Sequence, residues 1–210
     1  MMGRAITALA VALTGAVMLA GCGGGEQQAT GLKGFTRDPV PEVGGTSLPD
    51  VGPQGKGREV ALRADRPGDL LVVYFGFTSC PDICPTTLGD VRAALRRLTP
   101  AQRKRVEAAM VTVDPKRDTV TVMRNYVGHF FTNWRAYRTT DPKALAAAEK
   151  AFGASHSTTP AKGGGYDVVH SAFTYVVDDQ GRVLVEWPFG MPKRDIAADL
   201  SKLLEEDTNQ

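Results

Sequence analysis

The chain has 210 residues, of which 42% are hydrophobic and 23% are charged, values typical of a soluble globular domain. Its formal net charge is only +2 at pH 7, which gives no electrostatic basis for binding nucleic acid. The sequence has no internal repeat, and the part that follows the amino-terminal segments, about 165 residues, corresponds to one domain.

The amino-terminal segment is predicted to be an export signal. Arg4 precedes an apolar stretch, residues 5–20, which has the length of a signal-peptide core rather than that of a membrane span of ~20 residues. The stretch leads into Leu-Ala-Gly-Cys at residues 19–22, which resembles a bacterial lipobox, in which the cysteine is acylated and becomes the first mature residue. We therefore expect residues 1–21 to be a lipoprotein signal peptide and Cys22 to be a lipid anchor. A cleaved secretory peptide or an uncleaved anchor helix is the alternative.

Residues 22–39 are predicted to be a flexible tether. Residues 23–30 are small and polar, and they cannot bury enough apolar surface to become ordered. Low sequence complexity continues as far as residue 41, so we expect the folded domain to occupy residues 40–207. The lipid anchor would hold this domain at the extracytoplasmic face of the bacterial cell membrane.

The first predicted elements of the domain form a strand–helix–strand unit. Residues 70–77 are nearly all apolar and rich in β-branched and aromatic side chains, which indicates a central strand covered on both faces. Apolar residues then recur at helical spacing, which predicts a helix over residues 85–98. Residues 102–105 are interpreted as a basic connector, and a second central strand is predicted at residues 106–113.

Further helices, a short strand and a hairpin complete the predicted domain. Asp118 is expected to cap a helix over residues 119–128 through its carboxylate. Residues 155–165 are polar and glycine-rich, which predicts a mobile loop. The remaining elements are a strand at residues 134–138, a helix at residues 143–152, hairpin strands at residues 171–177 and 183–187, and a helix at residues 195–204. This order is typical of an α/β, thioredoxin-like fold, with a central sheet flanked by helices and a carboxyl-terminal β-hairpin and helix.

Two cysteines form the most informative pair of residues. Cys80 and Cys84 are four residues apart at the start of the first predicted helix, so both sulfurs can face the same side. The positive end of the helix favours thiolate over thiol there. The pair can act as a dithiol/disulfide couple or bind a soft metal ion. A permanent disulfide is the less favoured alternative, since it would close only a short loop.

His170 is the third candidate residue, at the junction between the predicted loop and the hairpin. In a thioredoxin-like sheet this junction lies beside the start of the cysteine-bearing helix. Two sulfurs and one imidazole nitrogen suit copper, whereas zinc in a closed structural site usually has a fourth protein ligand. His129 and His156 are interpreted as ordinary surface or hydrogen-bonding residues.

Three segments together resemble the signature segments of the Sco/SenC family of copper chaperones. They are FGFTSCPDICP at residues 75–85, VDPKRDT at residues 113–119 and DVVHSAF at residues 167–173. The resemblance implies a membrane-tethered, thioredoxin-like protein that binds one copper ion, as Cu(I) or Cu(II), and delivers it to the copper A site of cytochrome c oxidase subunit II. It also implies that Cys80, Cys84 and His170 are the copper ligands.

The resemblance further draws attention to Asp82 and Asp114, which match signature positions and could tune the thiols or contact the recipient. Their alternative roles are to cap the helix start and to close a strand-to-helix turn, and the turn is favoured for Asp114. Expected partners are the oxidase subunit or another cuproenzyme, and a second copper chaperone or a thiol reductant. We expect no enzymatic activity; the alternative is a thiol–disulfide oxidoreductase that keeps the recipient's cysteines reduced, with Cys80 and Cys84 as the redox-active pair. A peroxiredoxin-like peroxidase is disfavoured because its active-site motif is missing.

Overall fold

The computed structural model describes residues 31–208, with side chains as far as Glu206. The predicted signal peptide, most of the predicted tether and Cys22 lie outside the described residues. Within the described part of the chain, no helix is long and apolar enough to cross a membrane.

A seven-stranded mixed sheet forms the centre of the domain. The interior strand Leu70–Gly76 is buried along its whole length because it is covered on both faces, as its uninterrupted apolar sequence predicts. The strands in chain order are β1 (Ser47–Asp50), β2 (Arg58–Ala61), β3 (Leu70–Gly76), β4 (Val106–Thr112), β5 (Trp134–Tyr137), β8 (Phe173–Val177) and β9 (Val183–Pro188), and two further strands, β6 (His156–Pro160) and β7 (Tyr166–His170), pair separately. The order across the sheet is β2-β1-β5-β4-β3-β8-β9, with β3 parallel to β4 and antiparallel to β8.

Five helices accompany this sheet. Their boundaries follow local capping chemistry: Thr99 and Gln102 form a reciprocal capping box, and Gly153 ends a helix in the left-handed conformation. The helices are α1 (Ile83–Leu95), α2 (Pro100–Lys104), α3 (Val120–Phe130), α4 (Pro142–Phe152) and α5 (Lys193–Thr208). The predicted α/β architecture, with its carboxyl-terminal hairpin β8–β9 and final helix, is therefore observed.

Three local predictions are wrong. The basic connector at residues 102–105 is largely helical, because Thr99 and Pro100 begin α2 there instead of only ending α1. The cap of α3 is Thr119, whose hydroxyl accepts from the N–H of Val122, whereas the Asp118 carboxylate is turned towards Thr78. The loop predicted at residues 155–165 contains β6 and the turn into β7, since the two strands pair in register from His156 opposite His170.

The structure also differs at the amino-terminal end of the domain. The predicted tether includes residues 31–39, yet the N–H groups of Lys33 and Gly34 donate to the buried Asp199 carboxylate at 2.7 and 2.9 Å. Phe35 exchanges backbone hydrogen bonds with Glu186 in β9. Asp199 lies 166 residues from Lys33 in sequence, so no local pattern indicates the pairing. Strands β1 and β2 were not predicted either, being only four residues long.

Deleting this segment should destabilise the domain. A chain that begins at Val40 loses both N–H donors to Asp199, and hydrogen bonds to a charged group contribute ~1.5–3 kcal/mol each. We expect a free energy of unfolding about 3–6 kcal/mol lower than that of a chain beginning at Gly31, measured by urea denaturation. Lys33→Ala in the longer chain is the control, because it keeps the backbone donor and should have little effect. Equal stability of the two chains would show that residues 31–39 only rest on the surface.

Candidate metal centre

Two sulfur atoms and one imidazole nitrogen converge at one end of the sheet. The ligand atoms of Cys80, Cys84 and His170 all lie within 4.8 Å of one another, and no other group of three or more potential metal ligands occurs in the described residues. The Cys84 Sγ and the His170 Nε2 are 3.4 Å apart. The three residues come from a loop, the first turn of α1 and the last residue of β7. The structure therefore brings together the three residues predicted from the sequence.

The two cysteines occupy different environments although they are close in sequence. Cys80 is partly exposed in the turn between β3 and α1, whereas Cys84 is fully buried. The backbone N–H of Cys84, a first-turn donor without an intrahelical partner, donates to the Cys80 Sγ at 3.4 Å. Neither cysteine is in a disulfide. The helix start thus directs an N–H dipole at the more accessible sulfur.

Cys84 differs from the expectation that the helix start favours a thiolate. Burial raises the pKa of Cys84 to about 12, so without a metal ion this residue is a neutral thiol. The Tyr74 hydroxyl donates to its Sγ at 3.6 Å. A cation that binds here must displace the Cys84 proton, which is what thiolate ligation of a metal requires.

The imidazole of His170 is held in the form that can act as a ligand. Its Nδ1 lies 2.9 Å from the carbonyl oxygen of Ser171, and since a carbonyl can only accept, Nδ1 carries the proton. Nε2 therefore presents a lone pair towards Cys84. Burial lowers the pKa of His170, and the rings of Tyr74 and Phe77 contact the imidazole edge-on with centroids 5.8 Å away. The ring is thus neutral and fixed in orientation.

Gly76 leaves the space that this arrangement needs. A Cβ added at Gly76 would lie 2.6 Å from the Tyr74 ring, which is closer than such a contact permits, and 3.0 Å from the Cys84 Sγ, which is tighter than an ordinary van der Waals contact. Sequence reasoning missed both Gly76 and Tyr74. A glycine inside an otherwise apolar strand was the available signal, since it often marks a close approach of other atoms.

Asp118 fixes the loop that precedes Cys80. It is fully buried, and its carboxylate accepts from the backbone N–H of Thr78 at 3.1 Å and from the hydroxyls of Thr78 and Thr112 at 2.5 and 2.6 Å. This carboxylate joins the end of β3 to the end of β4. The sequence predicts it only as a helix cap, because its partner Thr78 is 40 residues away.

A second buried carboxylate, Asp114, holds the β6–β7 hairpin, which carries His170. It accepts a hydrogen bond from the Tyr166 hydroxyl at 2.6 Å and is paired with the Arg117 guanidinium. Arg117 also lies over the Tyr166 ring, 4.4 Å from its centroid, and donates to the Tyr166 carbonyl at 3.3 Å. Asp114 accepts from the Arg117 N–H as well, in keeping with the predicted turn role. We call Asp114, Arg117 and Tyr166 the hairpin clamp.

The other sequence candidates lie outside the cluster. Asp82 is exposed at the amino-terminal cap position of α1, but its carboxylate makes no capping hydrogen bond and is 3.5 Å from the Thr86 hydroxyl. His156 pairs with Glu149 at 2.5 Å, and His129 is exposed on α3. The tuning roles considered for Asp82 and Asp114 stay predictions.

The donor set fits a soft or borderline cation. Two thiolates and a neutral imidazole suit copper in either common oxidation state, whereas a closed structural zinc site would need a fourth protein ligand. The imidazole is already the correct tautomer, and the hydrogen bond from Nδ1–H to a carbonyl is the usual support of a metal-binding histidine.

Comparison with known proteins agrees with this chemistry. Among solved structures, apo Sco1 from Thermus thermophilus is 32% identical with a TM-score of 0.69, over 82% of this chain and 96% of that one. Copper-bound ScoI from Bradyrhizobium japonicum is 30% identical with a TM-score of 0.63, over 77% of this chain and 99% of that one. Copper-bound yeast Sco1 is 27% identical with a TM-score of 0.64, over 81% of this chain and 91% of that one.

The predicted thioredoxin-like fold is confirmed by these structures. Among curated proteins, a SCO2-like protein of Rickettsia felis is 33% identical over 119 residues, which are 56% of this chain and 57% of that protein. The match thus spans less than two thirds of that relative. Residues 54–205, which include all three converging residues, match the sequence model of the SCO1/SenC family, and the chain therefore belongs to that family.

Proposed function

We propose that the protein is a copper-binding metallochaperone that holds one copper ion through Cys80, Cys84 and His170. The observation that carries the proposal is the convergence of two sulfurs and an unprotonated imidazole nitrogen within 4.8 Å. The copper-bound state of two structural relatives supports it. The proposed recipient is the copper A site of cytochrome c oxidase subunit II or another cuproenzyme.

Transfer would proceed by exchange of ligands between this protein and thiolates of the recipient. Cys80 is partly exposed whereas Cys84 is fully buried, so Cys80 is the first sulfur that an incoming thiolate can replace. In the proposal Cys22 carries the lipid that holds the chain at the extracytoplasmic face of the membrane. Copper is the cargo of this protein, and no reaction is catalysed.

Thiol–disulfide exchange is the second candidate function. The two sulfurs are free and close together, so Cys80 and Cys84 could form a disulfide while two electrons and two protons reduce a disulfide of the recipient. This reaction needs both thiols but does not need an imidazole nitrogen turned towards them. The position of His170 therefore favours metal binding.

Copper ligation by His170 can be tested by absorption spectroscopy. The reduced protein with one equivalent of Cu(II) should show sulfur-to-copper charge-transfer absorption, and His170→Ala should shift this absorption and weaken binding at least tenfold, since a metal ligand is lost. His129→Ala is the matched control, because that side chain is exposed and outside the cluster. An unchanged spectrum in His170→Ala would exclude the histidine as a ligand.

The two candidate functions respond differently to the same variant. In an assay that follows reduction of a disulfide in a copper A peptide, His170→Ala should keep its activity if the protein is a reductase. In an assay of copper transfer to the reduced peptide, His170→Ala should lose activity if the protein is a copper carrier. Disulfide reduction that persists in His170→Ala but disappears in Cys80→Ser and Cys84→Ser, with no copper transfer by the unaltered protein, would favour the redox function.

The hairpin clamp should contribute to copper affinity by holding His170. Tyr166→Phe removes one hydrogen bond to Asp114, worth about 1 kcal/mol, and we expect the affinity for copper to fall about threefold to tenfold. Competition with a chelator of known affinity measures the change. Tyr137→Phe is the control, because it also removes one tyrosine hydrogen bond, to the carbonyl oxygen of Ala61, but lies outside the cluster and should leave the affinity unchanged. If the two variants bind copper equally well, the clamp does not position the histidine.

A further inference from the structure

A strongly basic surface lies at the end of the domain opposite the metal centre. Between Asp90 and Glu107 the sequence has six basic residues and no acidic one. These residues cover the end of α1, α2 and the connection to β4. They are Arg92, Arg96, Arg97, Arg103, Lys104 and Arg105.

Most of this charge is not neutralised by carboxylates. Arg105 is tied to Asp69 and to the carbonyl oxygens of Gly68 and Leu204. The other five basic residues take part in none of the ion pairs found in the described part of the chain, and we call these five residues the basic face. Arg103 donates to carbonyl oxygens at the end of α1, which fixes its position without cancelling its charge.

Acidic side chains at this end are engaged elsewhere. Asp69 pairs with Arg66 and Arg105, and Glu107 pairs with Arg135. On α5, Glu206 pairs with Lys202 at 3.6 Å, and Glu205 accepts from the Ser201 hydroxyl. The basic face therefore keeps a net positive charge.

The basic face and the metal centre are separated by the length of α1. Cys84 lies in the first turn of this helix and Arg96 directly follows its last residue. Twelve residues at 1.5 Å each place them about 18 Å apart along the helix axis. A surface that contacts the basic face thus leaves Cys80 and His170 free to meet another protein.

The described chain begins at the same end as the basic face. A Cβ at Gly31 would lie 2.7 Å from the Lys202 Nζ, and the neighbouring Ser201 accepts a hydrogen bond from the Gln102 side chain in α2 at 2.7 Å. Eight residues lie between Cys22 and Gly31 in the sequence, and the nine steps from one to the other reach at most about 32 Å. A lipid on Cys22 would therefore keep this end of the domain near the bilayer.

We propose that the basic face lies against anionic phospholipid headgroups, so that the metal centre points away from the membrane. The proposal rests on the lipid anchor of the proposed function. Anionic lipids attract clustered arginine and lysine side chains within a Debye length, which is about 8 Å at physiological ionic strength. An acidic protein has complementary charge too, but it has no reason to be close to Gly31, whereas an anchored bilayer does.

Chemical modification of Lys104 tests this contact in the full chain. The acylated protein is bound to vesicles of phosphatidylcholine alone or of phosphatidylcholine mixed with phosphatidylglycerol, and lysines are acetylated with a water-soluble reagent and quantified by mass spectrometry. We expect acetylation of the exposed Lys104 to slow several-fold on the anionic vesicles, and the effect to disappear in high salt. Lys162, exposed in the β6–β7 turn, should react equally on both vesicles.

Charge-reversal variants identify the surface responsible. Arg96→Glu with Arg97→Glu should abolish the protection of Lys104, whereas Lys143→Glu with Lys150→Glu, which makes the same change in net charge on α4, should leave it intact. All four side chains are exposed, and circular dichroism checks that the variants fold. Equal reactivity of Lys104 on the two vesicles overturns the proposal and leaves an acidic protein as the partner of this face. Loss of protection in both double variants also overturns it, because net charge alone would then explain the binding.

Vesicle flotation separates this inference from the anchor itself. Flotation with both kinds of vesicle, without protection of Lys104, refutes the basic face and keeps the anchor. Flotation with anionic vesicles only, with Lys104 protected, refutes the anchor and keeps the basic face. A chain that floats with neither kind of vesicle contradicts both the anchor and the basic face.

Discussion

The sulfur of Cys84 is buried at the point where β3 ends, α1 begins and the β6–β7 hairpin returns. It contacts the His170 imidazole, lies against Gly76, and accepts from Tyr74. Burial makes it a neutral thiol, and it becomes a ligand only when a cation replaces the proton. A small change at any of the three elements would therefore alter the metal centre, which explains why buried carboxylates fasten two of them to the end of β4.

Those carboxylates link the central sheet to the segments that carry the metal ligands. Asp118 ties the loop before Cys80 to the end of β4, and Asp114 ties the start of β7 to the loop that follows the same strand. The loops that carry the metal ligands are thus held at the carboxyl-terminal end of the parallel strands β3 and β4. At the far end of α1, about 18 Å away, the surface is basic. The domain thus carries the converging sulfur and nitrogen atoms at one end and a cluster of basic side chains at the other.

Much of this organisation could be predicted from sequence because its signals are local. The apolar run of β3 and the helical spacing that follows place Cys80 and Cys84, and the short motif around His170 supplies the third donor. The pairs Asp118 with Thr78, Tyr166 with Asp114 and Asp199 with Lys33 each join residues that are 40 or more positions apart, so nothing in the local pattern indicates them. The same holds for strand β6, whose polar sequence resembles a loop and becomes a strand only by pairing with β7.

The central claim is that two sulfurs and one imidazole nitrogen bind a single copper ion. X-ray absorption at the copper edge, on protein loaded with one equivalent of copper, measures the number and type of ligand atoms directly. The structure predicts two sulfur ligands and one imidazole nitrogen, with the nitrogen contribution lost in His170→Ala while both sulfurs remain. A spectrum with only nitrogen and oxygen ligands, or one unchanged by His170→Ala, would contradict the account.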